Sequence, residues 1–220
     1  MLRLLLLVTP LIGLAAVGAA FAQESPGKPG APAAGNALMS SAQYSIPEVR
    51  LVREDGKVVS LPEEMNDGRP VVLNFIYTTC STICPLMSQT LAQFDHDLGA
   101  DRERVHLMSI SIDPEQDTVT RLREYARKFH AGPEWQHYTG TAQASLAAQR
   151  AFNVWRGDKM GHSSVTLLRA APGEPWLRIQ GFVTPGELLQ QYHQVLEHSG
   201  VGSRVAEARG KTHRAGVPGA

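Results

Sequence analysis

Two cysteines, Cys80 and Cys84, stand four residues apart in Thr78-Thr79-Cys80-Ser81-Thr82-Ile83-Cys84-Pro85, and the 220-residue chain has no others. A thiolate is both a nucleophile and a soft metal ligand, so the pair suits disulfide exchange or the binding of Cu(I), zinc or an iron–sulfur cluster. Pro85 fits the first turn of a helix, where its missing N–H is no loss. A four-residue offset on a helical turn puts both sulfurs on one face. The positive end of the helix then favours the thiolate. A purely structural disulfide is the bland alternative, but it would close so short a loop that it contributes only about 2 kcal/mol. Two cysteines are too few for an iron–sulfur cluster without further ligands, and a structural zinc normally takes four protein ligands.

A third ligand must come from elsewhere, and the chain has eight histidines. His96 falls within an expected helix, His106 begins a strand, His130 and His137 flank the end of a helix, His193 and His198 sit on the last helix, and His213 is in the tail. His162 differs: it ends Arg156-Gly157-Asp158-Lys159-Met160-Gly161, a polar loop directly before a strand. Two thioethers are close in sequence to these ligands. Met87 is one turn beyond Cys84 and reads as core; Met160 is two residues from His162 and reads equally as a solvated loop residue or as part of the site. Asp113 ends a strand at the same sheet edge as Cys80. It suits a hydrogen bond from His162 or its loop, or a turn cap.

The elements that must position these groups follow from hydrophobic periodicity. Val49–Val52 and Lys57–Leu61 flank Glu54-Asp55-Gly56 and predict a β-hairpin. Val71–Tyr77 is a near-continuous apolar run, as in a strand covered on both faces. Met87, Leu91, Phe94 and Leu98 recur at helical spacing from about Pro85. Val105–Ile112 predicts another strand, Asp117 caps the helix whose face is Val119, Leu122, Tyr125, Ala126 and Phe129, and an Ala-rich helix covers 142–152. Ser164–Arg169 and Trp176–Val183 predict a late hairpin. Thr184, Pro185 and Glu187 compose a capping box with proline in the first turn of the last helix, and Gly200 can end it. The order β-hairpin, β, α, β, α, α, β, β, α implies an α/β fold, a mixed sheet flanked by helices with an N-terminal β-hairpin, of the thioredoxin-like kind.

Outside that domain, read as residues 42–198, the composition changes. Arg3, the apolar stretch Leu4–Ala19 and Ala20-Phe21-Ala22 have the layout of a signal peptide over residues 1–22, with an uncleaved membrane anchor as the rival reading. Residues 23–41 are rich in Pro, Gly, Ala and Ser and read as a flexible tether; residues 199–220 read as a solvated disordered tail. Export places the chain in the periplasm, free or membrane-tethered, where unprotected thiols oxidise. Lys plus Arg and Asp plus Glu each number 21, so the basic excess of a nucleic-acid binder is absent.

The strings FIYTTCSTICP, SISIDPEQDT with LREYARKF after it, and GHSS leading into a strand together resemble the Sco/SenC family, over residues 44–197. The resemblance implies a thioredoxin-like fold and a copper site in which Cys80 and Cys84 supply thiolates and His162 an imidazole. It also implies work as a copper chaperone in building the copper centres of cytochrome c oxidase, and for some members thiol–disulfide reduction of client cysteines by the Cys80–Cys84 pair. Ser81 stands where many members have Pro, and Gly161 where many have Asp. No proline precedes Ser164, where thioredoxin-like oxidoreductases generally carry one, which favours metal over dithiol exchange. The peroxidase signature T-P-x-x-T-x-x-C is missing around Cys80.

Overall fold

The computed structural model describes residues 37–200. The stretches expected to be signal peptide, most of the tether and nearly all of the tail therefore lie outside the described residues. Among the described residues, no helix is long and apolar enough to cross a membrane.

Eight strands form one mixed sheet: β1 (Leu38–Ala42), β2 (Arg50–Arg53), β3 (Val58–Ser60), β4 (Val71–Ile76), β5 (His106–Ser111), β6 (Trp135–Gly140), β7 (Val165–Arg169) and β8 (Trp176–Gln180). Their spatial order is β1-β8-β7-β4-β5-β6-β2-β3. The expected N-terminal hairpin is β2–β3, antiparallel, and the late hairpin is β7–β8. The central β4–β5 pair is parallel, as a strand–helix–strand crossover requires.

Five α-helices cover the sheet: α1 (Leu61–Met65), α2 (Ile83–Asp97), α3 (Val119–Lys128), α4 (Ala142–Ala151) and α5 (Pro185–His198). Alternation along β4 sends Val72 and Ile76 to one face and Val71, Leu73 and Phe75 to the other. The first face packs on Leu91 and Phe94 of α2, Leu122 and Tyr125 of α3, and Leu188 and Tyr192 of α5. The second packs on Leu61 and Met65 of α1 and Ala144 and Ala148 of α4. The sheet is thus buried on both sides, which is why β4 and β5 lack an exposed residue.

Four sequence expectations change. β6 lies where no strand was expected; it pairs in parallel with β5 and antiparallel with β2, so His137 is a core residue of a strand and not a flank of a helix. The single turn α1 follows β3 directly. β1 begins at Leu38, inside the expected tether, and pairs with β8. Finally, Thr118 and not Asp117 caps α3, its side chain accepting from Arg121 N–H.

Registers fix which loops meet. Asn74 of β4 faces Thr166 of β7, so the start of β7 lies at the same end of the sheet as the end of β4. Leu38 pairs with Gln180 and Val165 with Gln180, so β1 also enters at this end. Open α/β sheets gather ligands at this carboxyl edge of their parallel strands.

Candidate metal centre

α2 begins in the middle of the cysteine pair. Its N-cap residue Thr82 makes no side-chain cap bond; instead Cys84 N–H donates to Cys80 Sγ at 3.4 Å. The sulfur thus takes an orphan donor of the first helical turn, the place where negative charge is favoured. Cys80 is 8% exposed and Cys84 fully buried, neither in a disulfide. Cys80 N–H donates to the Tyr77 carbonyl oxygen at 3.1 Å, and the Cys80 sulfur lies 4.0 Å from Thr82 Oγ1.

These contacts make the two thiols unequal. Burial opposes ionisation of Cys80, but the N–H groups of Cys84 and Thr82, the Cys84 thiol and the Tyr77 hydroxyl outweigh it and bring the thiol down to about 7. Cys84 moves the other way: burial pushes it up, and the nearby Cys80 and Asp117 charges add to that. Burial and the neighbouring Cys80 sulfur raise the Tyr77 phenol to about 12. Cys80 is therefore the thiol that ionises first, around neutral pH, while Cys84 keeps its proton.

His162 ends a 3-10 turn, Lys159–Gly161, whose N-cap Asp158 accepts from Met160 N–H at 2.7 Å and Gly161 N–H at 3.1 Å. Its ring is buried, with Nε2 3.0 Å from the carbonyl oxygen of Phe75 in β4. A carbonyl only accepts, so Nε2 carries the proton and Nδ1 keeps the lone pair. Burial lowers the imidazole's pKa, against the Phe75 bond which raises it, so the ring favours the neutral, ligating form. The ring lies edge-on to Tyr77, centroids 6.2 Å apart.

Cys80, Cys84 and His162 thus share one sheet edge, with Tyr77 touching both sides. They are not gathered into a closed cage: among the described residues, no three His, Cys, Asp or Glu side chains are close enough to hold a metal ion. The donor chemistry nonetheless fits a soft metal, with one thiolate, one thiol ready to lose its proton to a cation, and one neutral imidazole. Met87 is buried in the core, as expected, and Met160 is 79% exposed. The absence of Asp at position 161 has a steric side: a Cβ on Gly161 would meet Arg156 Cβ at 3.2 Å, so a side chain there would force this tight loop to give.

Asp113 accepts from Lys159 Nζ at 2.6 Å, the loop contact among the roles expected for it. Sequence reasoning missed Tyr77, Thr78, Lys159 and the deeper role of Asp117. The last is fully buried and accepts from Thr78 N–H, Thr78 Oγ1 and Ser111 Oγ. Its partner Thr78 is 39 residues away, so no local pattern could have found it.

The SCO1/SenC family model matches residues 39–197. A Bacillus subtilis (strain 168) SCO1 protein homolog is 30% identical over 113 residues, 51% of this chain and 58% of the relative. The chain spans 58% of that relative's length, 30% of an Arabidopsis thaliana SCO1 homolog 1 and 57% of a Bos taurus SCO2 homolog. Among solved structures, Arabidopsis thaliana ScoI with copper bound is 26% identical, with a TM-score of 0.57 over 68% of this chain and 96% of that one. BsSco, described as a member of the Sco family of cytochrome c oxidase assembly proteins with a disulfide switch, matches at 23% identity and a TM-score of 0.60 over 72% and 96%.

Proposed function

The chain belongs to the SCO1/SenC family, and from that premise we propose that it binds copper through Cys80, Cys84 and His162 and hands it to a client, a copper centre of cytochrome c oxidase. The observation that carries this reading is the Cys80 sulfur on the first turn of α2, at the sheet edge where the neutral His162 ring is hung on Phe75. Copper is the cargo. Cys80 offers the first thiolate, Cys84 becomes the second by releasing its proton as the metal arrives, and Nδ1 of His162 offers the third electron pair. Nδ1 coordination leaves the Nε2–Phe75 bond intact, and that bond orients the ring. The loop 156–162 closes on the thiols to complete the set. Three ligands with one position open to a client's donor suit transfer better than storage. The relatives copper-bound ScoI and BsSco support this cargo and this client. The apolar N-terminus supports export, free in the periplasm or tethered to the membrane and facing it.

A second reading is favoured by the unequal thiols. In a thiol–disulfide reductase, the Cys80 thiolate attacks a client disulfide, and Cys84 then displaces the client thiol. The client gains two electrons and two protons, and Cys80–Cys84 becomes a disulfide. Copper binds only the reduced pair, so the two activities are compatible in one site.

Anaerobic titration of the reduced chain with copper against a competing chelator separates the readings. The expected result is one tightly bound copper per chain. Cys80→Ser and Cys84→Ser abolish tight Cu(I) binding, and His162→Ala weakens Cu(II) binding far more than it alters the dithiol potential. Cu(II) spectra identical in the His162→Ala variant remove His162 from the site.

A further inference from the structure

One short turn, residues 112–118 between β5 and α3, touches both halves of the site. It is stiff: Gln116 and Asp117 N–H both donate to Asp113 O, at 3.0 and 2.9 Å, and Asp113 N–H donates to Ser111 Oγ at 3.0 Å. Ile112 N–H ties it to Ile76 of β4, and Ser145 Oγ of α4 ties Ser111 O.

On the thiol side, the Asp117 carboxylate holds the residue two before Cys80. Thr78 N–H reaches both its oxygens at 3.1 and 3.2 Å, Thr78 Oγ1 lies 2.6 Å from Oδ1, and Ser111 Oγ lies 2.6 Å from Oδ2. All of these donors are neutral, and a fully buried carboxylate without a bonded cation is costly to keep. What it supplies is geometry: two acceptor oxygens fix both the main chain and the side chain of Thr78. Asparagine has only one such oxygen.

On the imidazole side, Asp113 Oδ2 grips Lys159 Nζ at 2.6 Å. Lys159 lies in the same 3-10 turn as His162, whose N–H donates to Lys159 O at 3.2 Å, and its ammonium stands 5.9 Å from the Tyr77 ring centre. The side chain that tethers the loop and the side chain that would bind metal are thus one turn of chain apart.

We propose that Asp117 and Asp113 are positioning residues of the metal site, one holding the thiol loop and the other the imidazole loop, so that a single turn sets the spacing between the two ligand types. The proposal rests on the copper reading for its purpose, but its geometry can be tested without metal.

The test uses the full chain, reduced and metal-free, and then loaded with copper. Asp117→Asn and Thr78→Val loosen the thiol side; Thr78→Val removes one hydroxyl and serves should Asp117→Asn not fold. Asp113→Asn and Lys159→Met loosen the imidazole side, and Lys159→Arg keeps the charge. Thiol-side variants are expected to change the rate of Cys80 alkylation by iodoacetamide and the Cys80–Cys84 reduction potential. Imidazole-side variants are expected to leave both at wild type, shift the His162 ring nitrogen resonances, and weaken Cu(II) binding by roughly 10- to 100-fold with an altered Cu(II) spectrum; Lys159→Arg restores these. Lower melting temperatures with unchanged alkylation, potential and ring resonances make both aspartates merely structural and overturn the proposal. A wild-type chain that binds no copper overturns the copper reading instead, and the metal-free measurements still decide the positioning.

Discussion

At the residue scale, the site depends on where protons sit. The Cys80–Cys84 pair divides its roles because one sulfur caps a helix and the other lies wholly inside the core. A different residue makes the fold sensitive to acid. His137 of β6 is fully buried between Trp135 and Tyr125, ring centroids 5.2 and 5.9 Å away, and neither ring nitrogen has a hydrogen-bond partner. Burial pushes it down to about 3. The unfolded chain therefore takes up a proton near the ordinary histidine value while the folded chain refuses it. The stability it contributes is complete above about pH 6.5 and is lost as the pH falls from there toward 3, by up to ~1.4 kcal/mol per pH unit. In thermal melts between pH 7 and 4, His137→Phe is expected to flatten the decline by one proton's worth; an unchanged slope would mean that His137 is not the group that titrates. None of this was legible in the sequence. His137 looked like a loop residue because its cost and its neighbours are tertiary. Cys80, Cys84 and His162, by contrast, were legible as candidates because the spacing of the first two and the loop around the third are local signals.

At the element scale, legibility followed from how each element earns its stability. β4 and β5 are long apolar runs because both faces are covered, and α5 carried its own start signal. Thr184 accepts from Glu187 N–H, while the Glu187 carboxylate accepts from Thr184 N–H at 2.7 Å. Thr184→Ala is expected to destabilise the protein by about 1 kcal/mol, lowering the midpoint of a calorimetric melt by roughly 2–4 °C for a domain this size. β6 escaped notice because its buried positions mix Trp135 and Tyr138 with the polar His137 and Thr139, so no apolar alternation marks it. Trp135 Nε1–H nonetheless finds Ser109 Oγ at 2.9 Å, and Ser109 in turn donates to Asn74. Such buried polar chains replace hydrophobic pattern with hydrogen bonds made across strands. α1 has only five residues, and it exists because Leu61 and Met65 can both reach the core from one turn. The Asp117-versus-Thr118 cap is a similar case: both types cap helices well, and the deciding factor was the distant Thr78, which claims the aspartate.

At the scale of the whole molecule, strand registers give the domain two unlike ends. The chain enters at Leu38, beside the loops that carry Cys80 and His162. It leaves along α5, which starts at that end with Thr184 and finishes near Ala170 and Leu177 at the other. Any attachment made ahead of residue 38 therefore grips the molecule by its reactive pole, and one made after α5 grips it by the opposite pole. A surface attached directly at Leu38 faces the end of the sheet that carries Cys80, and one attached at the end of α5 faces away from it. Anchoring to vesicles through an azide-bearing residue in place of Leu38 or of Glu197, both exposed, makes this measurable. A protein-sized maleimide is expected to reach Cys80 more slowly in the first orientation than in the second, and equal rates in the two would mean that the poles do not differ in access. On this geometry, the point of attachment decides which reagents reach the thiols, before any ligand chemistry begins.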